Sequence, residues 1–396
     1  MITLKKQYIT TTGDKARLNF DFLIDGKESN IWYEVESEYA QYLCTERCDA
    51  FVIGLLNWAM KNNHDIVTDI PISEALHYGI TEHFIPSLVR HDKHLHLIKI
   101  VAPIESKLLE NAGGIGTGIS CGIDSFYSIT KNTTSAYKGM HLTHLCIFNV
   151  GSFGLEQHEL RNKVYSRAVE VAKELGLPLI ITNSNIANVL KQNHMYTHSY
   201  SSMFAVYCMQ KLWKMYYYGS TGMDYNCFSL VNSSKNYAGI YDLLTLNCFS
   251  NLNLKLISQG GGQTRFEKTQ EIAKFPLARK FLHVCTDEGI NCNVCSKCMR
   301  TILSLYALNE LENFSQVFDI KYFKENKNKY YFYLCDTYNK KDKFMSDIYS
   351  VLKKEIPLWI KILTIVKNFI FEISYPNHKQ NICIKILGLK FQFRKK

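Results

Sequence analysis

No segment of this sequence is apolar for long enough to cross a bilayer. The longest candidate, IPLWIKILTIVKNFIFEI, is interrupted by Lys361, Lys367 and Asn368, whereas a span needs about 20 predominantly apolar residues. The opening residues, MITLKKQYITTTGDKARLNF, hold no apolar core followed by a small-residue cleavage site. That absence argues against secretion and sets the expectation of a cytoplasmic protein. Internal repeats are also missing, which excludes solenoid and propeller architectures. Acidic residues are outnumbered, 36 Asp and Glu against 46 Lys and Arg, for a net charge of +10. The excess suits an anionic partner such as a nucleotide, a nucleic acid or a membrane surface. Cations and acids are interspersed along the chain, however, so charge alone selects none of these.

What is present supports several globular units: 396 residues with 46% hydrophobic content can bury a substantial core. Residues 1–112 read as a separate α+β domain. Leu18, Phe20, Phe22 and Ile24 alternate up to Asp25-Gly26, and Ile31, Tyr33 and Val35 alternate beyond it, which is the period of a hairpin. A helix is expected from Asp49 and a closing strand over LHLIKIVAP. From Gly113 the pattern becomes strands alternating with helices. HLCIFNV and LPLIIT are short buried strands, and Leu160, Val164, Ala168, Val171 and Leu175 mark a helix capped by Gly176. YSSMFAVYCMQKLWKMYYY reads as one long helix, and LKLISQ as a further strand. Such alternation implies an α/β fold with a parallel sheet, helices on both faces, over residues 113–310.

Residues 311–396 read as a helical C-terminal extension. Its amphipathic helix places Lys361, Thr364, Asn368 and Glu372 on one side, with Trp359, Ile362, Leu363, Val366, Ile370 and Ile373 around the other. Packing of the apolar side against the α/β domain is the simpler reading. A basic helix lying in a membrane interface is the alternative, because Lys385, Lys390, Arg394, Lys395 and Lys396 at the end are accompanied by no acid.

Two motifs carry chemistry. The first is the glycine-rich stretch GIGTGISCGIDSFYSI, residues 114–129. In a parallel sheet, ligands bind beyond the carboxyl ends of strands, and a turn leading into a helix N-terminus offers backbone N–H groups to phosphate. No Lys-Ser/Thr follows the glycines, so this is not a G-x-x-x-x-G-K-[ST] loop, nor is it G-x-G-x-x-G before a ribose-binding acid. An Asp-Ser helix cap after a flexible turn is the bland alternative. The second motif is Cys285, Cys292, Cys295 and Cys298 in CTDEGINCNVCSKCMRT. Four thiols at such spacing in a reducing compartment suit tetrahedral Zn²⁺ with no open position, or an iron–sulfur cluster.

The turn Ser120-Cys121-Gly122-Ile123-Asp124-Ser125 resembles the S-G-G-x-D-S signature of PP-loop ATP pyrophosphatases, in the adenine nucleotide α-hydrolase superfamily, with Cys121 where the family has glycine. Followed by a C-x₂-C-x₂-C site, it is similar to the 7-cyano-7-deazaguanine synthases (QueC) over about residues 113–310. The resemblance implies a HUP-type parallel sheet, with Ser120, Gly122 and Ser125 cradling pyrophosphate and Asp124 near the phosphates or Mg²⁺. It also implies ATP, Mg²⁺ and Zn²⁺ as cofactors. The expected activity is AMP- and pyrophosphate-forming activation of a substrate carboxylate or carbonyl oxygen, followed by amidation or a related substitution. Arg265 and Lys268, just after Gly260-Gly261-Gly262, become candidates to meet the phosphates. Asn149, Thr182, Asn183 and Asn185 become candidates to frame adenine, ribose or substrate.

Thiolation of tRNA or a small molecule is a rival, with Cys121 or Cys146 as the sulfur carrier. A nucleotide-binding module without turnover, in a defence or glycan operon, is another. His194 and His198, four apart, lack a nearby third metal ligand and read as core or solvated; Cys44 and Cys48 read as structural thiols. No glutaminase signature is present, so nitrogen or sulfur would come from solution or a donor protein. The substrate class expected is a small molecule or sugar, and a homo-oligomer and nucleic-acid contact stay open. The ending IKILGLKFQFRKK looks like the ends of capsular and lipopolysaccharide biosynthesis proteins, which hints at a surface-polysaccharide pathway.

Overall fold

The computed structural model describes residues 1–220, 224–235, 237–285, 289–374, 381–386 and 389–394. The chain forms two compact units, Met1–Gln263 and Thr264–Lys396.

The first unit begins with an antiparallel meander, β1 (Ile2–Thr12), β2 (Lys15–Ile24) and β3 (Lys27–Glu36), followed by α1 (Asp49–Asn62). Asp25 and Gly26 turn the β2–β3 hairpin with φ of 49° and 82°, the positive values that a two-residue hairpin loop needs. Short elements follow: β4 (Ile66–Thr68), β5 (Ile72–Ser73), α2 (Glu74–Tyr78), α3 (Ile85–His91), β6 (Ile100–Val101) and β7 (Ile104–Glu105). The strand expected over LHLIKIVAP is thus reduced to the two residues of β6. Alternation then sets in with β8 (Gly114–Gly118), α4 (Ile123–Thr134), β9 (His144–Asn149), α5 (His158–Leu175), β10 (Leu179–Ser184), α6 (Ile186–Leu190) and α7 (His194–Cys208). It closes with β11 (Trp213–Gly219), α8 (Asp224–Cys227), α9 (Asp242–Phe249) and β12 (Lys255–Gln259).

Ten of these strands form one mostly parallel sheet in the order β12-β11-β8-β9-β10-β3-β2-β1-β4-β6, flanked by helices. The α/β class is therefore as expected. The boundary read at residue 112 lies inside this sheet: β3 pairs antiparallel with β10, Tyr33 opposite Ser184 and Glu34 opposite Asn183. Asn185 fixes the junction, accepting the Trp32 N–H at 2.8 Å and donating to the Asn30 carbonyl at 3.0 Å. Contacts 153 residues apart leave no mark on local periodicity, which is why the hairpin looked like a separate domain. One buried core crosses the junction, with Phe20 and Tyr33 packing their rings 5.9 and 6.1 Å from that of Phe204.

The run read as one long helix divides at Cys208. Trp213 onward is β11, with Tyr216 and Tyr217 buried and the strand paired in parallel to β8 on one side and β12 on the other. An apolar aromatic run covered on both faces has no period by which helix and strand differ. Close packing also fixes Gly79, where a Cβ would be driven into the backbone carbonyl of Cys248 at the end of α9. Gly79→Ala is expected to lower the unfolding free energy of the first unit by about 1–3 kcal/mol, the usual cost of overpacking. Denaturant titration measures it, and an unchanged midpoint would contradict the close approach.

The second unit contains α10 (Arg265–Ile272), α11 (Pro276–Phe281), α12 (Ser296–Ala307), α13 (Ile320–Glu325), α14 (Lys327–Asn339), α15 (Ser346–Leu352) and α16 (Leu358–Ile370). A three-stranded antiparallel sheet ends it: β13 (Phe371–Ser374), β14 (Asn381–Ile386) and β15 (Leu389–Arg394). Residues 264–310 thus belong with the C-terminal part, α12 packing on α10, α14 and α15. The amphipathic helix stops at Ile370, so Glu372 and Ile373 fall in β13. Its orientation reverses the simpler expectation. Ile360 and Thr364 are fully buried, whereas Leu358 is 70%, Trp359 55%, Ile362 52% and Ile365 60% exposed.

Candidate functional site

Within the first unit the parallel strands run β10-β9-β8-β11-β12. In chain order this is 3-2-1-4-5, so successive connections depart to opposite sides of β8. The order reverses between β8 and β11, the place at which doubly wound sheets in general bind ligands, beyond the carboxyl ends of the strands.

The Ser120 turn leaves β8 at this point. Thr117, buried in β8, lies 2.9 Å from the Ser128 hydroxyl on α4 and donates to the Tyr217 carbonyl on β11 at 2.8 Å, tying three elements together beneath the turn. Gly219, at the end of β11, runs beside the start of α4: a Cβ there would lie 3.6 Å from the Asp124 carbonyl. Gly122 is the N-cap of α4 and no side chain caps it. Asp124 and Ser125 lie inside the first turn, so the Asp-Ser cap is not formed. A helix start without a side-chain cap keeps its anion-attracting N–H groups. The Ser120 hydroxyl sits 3.3 Å from that of Ser125 and accepts the Gly122 N–H at 3.4 Å, while Ser125 donates to the Gly122 carbonyl at 3.1 Å. Ser120 is exposed and Ser125 nearly buried. Ser120, Cys121, Gly122, Asp124 and Ser125 are thus brought together.

Cys121 adopts φ of 57°, the left-handed conformation that costs a side-chain-bearing residue about 1 kcal/mol relative to glycine. Its thiol faces inward, 3% exposed, and burial pushes it up to about 12 despite Arg167. Cys146, fully enclosed in β9, is also raised by burial. Neither presents a thiolate at neutral pH, which weighs against both as sulfur carriers.

The remaining candidates take varied places. Asn149, buried at the end of β9, donates to Asn183 at 3.2 Å and accepts the Phe153 N–H at 3.1 Å, shaping the loop after β9 from within. Thr182 is fully buried in mid-sheet, opposite Phe148 in register, so its side chain does not reach the exposed strand ends. Asn185 is taken up by the sheet junction. His198 lies 2.5 Å from the Tyr218 hydroxyl, and His194 lies 3.3 Å from that of Ser152. Burial, reinforced by His194, holds His198 down at about 4, so the pair is neutral and packed beside the β9 and β11 ends. Thr117, Ser128, Ser152 and Tyr218 carried no sequence signal of their own; Tyr218 and Gly219 would have been legible only once β11 was seen as a strand.

Arg265 and Lys268 belong to the second unit. Thr264 caps α10 through a reciprocal box with Glu267. The Arg265 guanidinium lies 5.5 Å from the Phe344 ring, with Arg300 at 4.7 Å, and Lys268 is fully buried.

The four cysteines of the second unit converge. All four sulfurs lie within 4.8 Å of one another, with Cys285 and Cys295 3.8 Å apart and Cys292 and Cys298 4.0 Å apart. A tetrahedron of thiolates at about 2.3 Å from zinc has sulfur–sulfur edges of about 3.8 Å. The group could therefore hold a single ion such as zinc, whereas an iron–sulfur cluster interposes iron and sulfide and needs wider spacing. Sequential N–H···S bonds shape the knuckle, Cys295 N–H to Cys292 at 3.3 Å and Cys298 N–H to Cys295 at 3.4 Å.

Asn291, not anticipated from sequence, clasps the ends of this loop. Its Oδ1 accepts the Val284 and Cys285 N–H groups at 2.9 and 3.2 Å, and its Nδ2 donates to the Leu282 and Val317 carbonyls at 2.9 and 3.0 Å. No other cluster among the described residues collects three or more metal-binding side chains.

No protein family, curated protein or solved structure matches this chain.

Cys121→Val should cost roughly 1–3 kcal/mol, since a β-branched residue tolerates positive φ poorly, while Cys121→Gly should stay within about 1 kcal/mol of the parent; denaturation of both variants checks this. Burial and the Cys295 bond raise the Cys298 thiol, so zinc binding must release protons and its apparent affinity must fall as pH falls. Cys295→Ser is expected to lose stoichiometric zinc by elemental analysis and to destabilise the second unit by several kcal/mol, on the order of the ligand's contribution in structural sites.

Proposed function

We propose that this chain is an ATP pyrophosphatase of the PP-loop kind, similar to the 7-cyano-7-deazaguanine synthases, with a HUP-type sheet as its nucleotide-binding part. The observation that supports this reading is the place of the Ser120 turn: it stands at the reversal of strand order, ahead of an uncapped helix start, with two hydroxyls and a glycine converging.

Ser120, Gly122 and Ser125, with the first N–H groups of α4, would hold the β- and γ-phosphates, and Asp124 the accompanying Mg²⁺. A substrate carboxylate or carbonyl oxygen attacks the α-phosphorus, the bond to the β-phosphate oxygen breaks, and pyrophosphate leaves with the charge that these donors stabilise. A nitrogen nucleophile then displaces AMP, losing its proton to solvent. The four-thiolate site leaves no open coordination position, so its part is to hold the second unit together. A small molecule or sugar is the substrate class, with ammonia from solution or a donor protein.

A second reading is favoured by one observation. A strained, buried Cys121 in the cradle suits a module that retains nucleotide without turning it over.

Incubation with α-labelled Mg-ATP and a small-molecule extract should yield labelled AMP with pyrophosphate, reduced on the order of tenfold to a hundredfold in Ser125→Ala. Exclusive ADP formation overturns the proposal, and tight ATP binding by calorimetry without pyrophosphate release transfers it to the second reading.

A further inference from the structure

Helix α16 is turned inside out for a water-facing helix. Its polar strip faces protein: Thr364 is fully buried and accepts from the Asn339 amide at 3.3 Å, and Lys367 pairs with Asp336 on α14 at 3.0 Å. Leu358, Trp359, Ile362, Leu363, Ile365 and Val366 are all exposed. At about 100° per residue these six form one continuous strip, and Lys361 and Lys367 stand at its two borders.

The sequence beyond is also apolar and basic. In β14 and β15, Ile382 pairs with Phe393, Ile384 with Phe391 and Ile386 with Leu389, while Lys385 pairs with Lys390. After Glu372 the sequence contains no acid, against Lys379, Lys385, Lys390, Arg394, Lys395 and Lys396. An apolar strip with a tryptophan and a cationic rim is the surface of a helix lying in the headgroup region of an anionic bilayer. No helix among the described residues is long and apolar enough to cross a membrane, so the contact is with the surface. A second copy is a poorer occupant, because it would set one lysine rim against another.

We infer that α16 and the basic end of the chain dock this protein on an anionic lipid surface, the strip from Leu358 to Val366 entering the interface and the cations meeting lipid phosphates. The inference stands apart from the nucleotide chemistry.

Full-length protein sedimented with vesicles tests it. Binding is expected to vesicles of equal parts phosphatidylcholine and phosphatidylglycerol, and to be at least about tenfold weaker to phosphatidylcholine alone or in high salt. Lys361→Gln, which leaves the Lys367–Asp336 pair in place, should weaken it by roughly fivefold. Trp359→Asp with Ile362→Asp, both at exposed positions, should abolish binding while thermal unfolding is unchanged. Loss of folding in that pair is met by Trp359→Phe, which should remove the lipid-induced blue shift of tryptophan emission. Absence of anionic-vesicle binding, binding indifferent to the aspartate pair, or equal binding to neutral vesicles overturns the inference. So does a dimer that the aspartate pair dissociates without any vesicle binding.

Discussion

The reversal of strand order at β8 is the constraint on which the layout of the first unit depends. Because β9 and β10 lie to one side and β11 and β12 to the other, the chain leaving β8 has no neighbouring connection to cover its carboxyl end. It must also enter α4 within a few residues. The backbone makes that turn with a left-handed residue, Cys121 at φ 57°, where glycine would cost nothing. Thr117 anchors the same corner to α4 and β11 through buried bonds, which makes the strained conformation rigid rather than optional. On the proposed reading, a rigid turn ahead of a helix without a side-chain cap would need little further ordering to receive an anion.

The second unit depends on a different kind of closure. Its described residues between Leu282 and Ser296 form no helix or strand, and such a loop cannot bury enough apolar surface to define itself. Convergent thiols and the Asn291 clasp supply the definition instead, the clasp reaching as far as the Val317 carbonyl. Tyr330 on α14 adds a further tie by donating to the Asn293 carbonyl at 2.6 Å. Four sulfurs within 4.8 Å of one another could hold an ion such as zinc, and such a set would leave open no position for chemistry at the metal.

Local patterns revealed those parts of the molecule whose neighbours are close in sequence. The β2–β3 hairpin was legible because alternation and Asp25-Gly26 act within a few residues, and α5 because its apolar face ends at Gly176, whose φ is 64°. The cysteines were legible because their spacing is itself the ligand geometry. By contrast, β11 hides in an aromatic run buried on both faces, and the β3–β10 pairing that fuses the hairpin to the parallel strands is decided by contacts far apart in sequence, the Asn185 bonds among them. Asn291 and Thr117 illustrate a third case. Each is an ordinary polar residue in sequence and gains its role only from the backbone groups that the fold carries to it.

Helix α16 shows how a correct pattern can yield the wrong orientation. Periodicity finds the apolar side of a helix but not what will cover it. Here the orientation is fixed by polar bonds, Asn339 to Thr364 and Lys367 to Asp336. Rolling the helix to bury Trp359 and Ile362 would break both and leave Asp336 without the lysine that, together with Lys340, holds its carboxyl below the usual range. The fold therefore spends its polar contacts on keeping an apolar strip outward, an arrangement stable in water only at the cost of solvating that strip. A surface apolar on one side of its cations and anionic on the other removes that cost, and a lipid bilayer offers both within one interface.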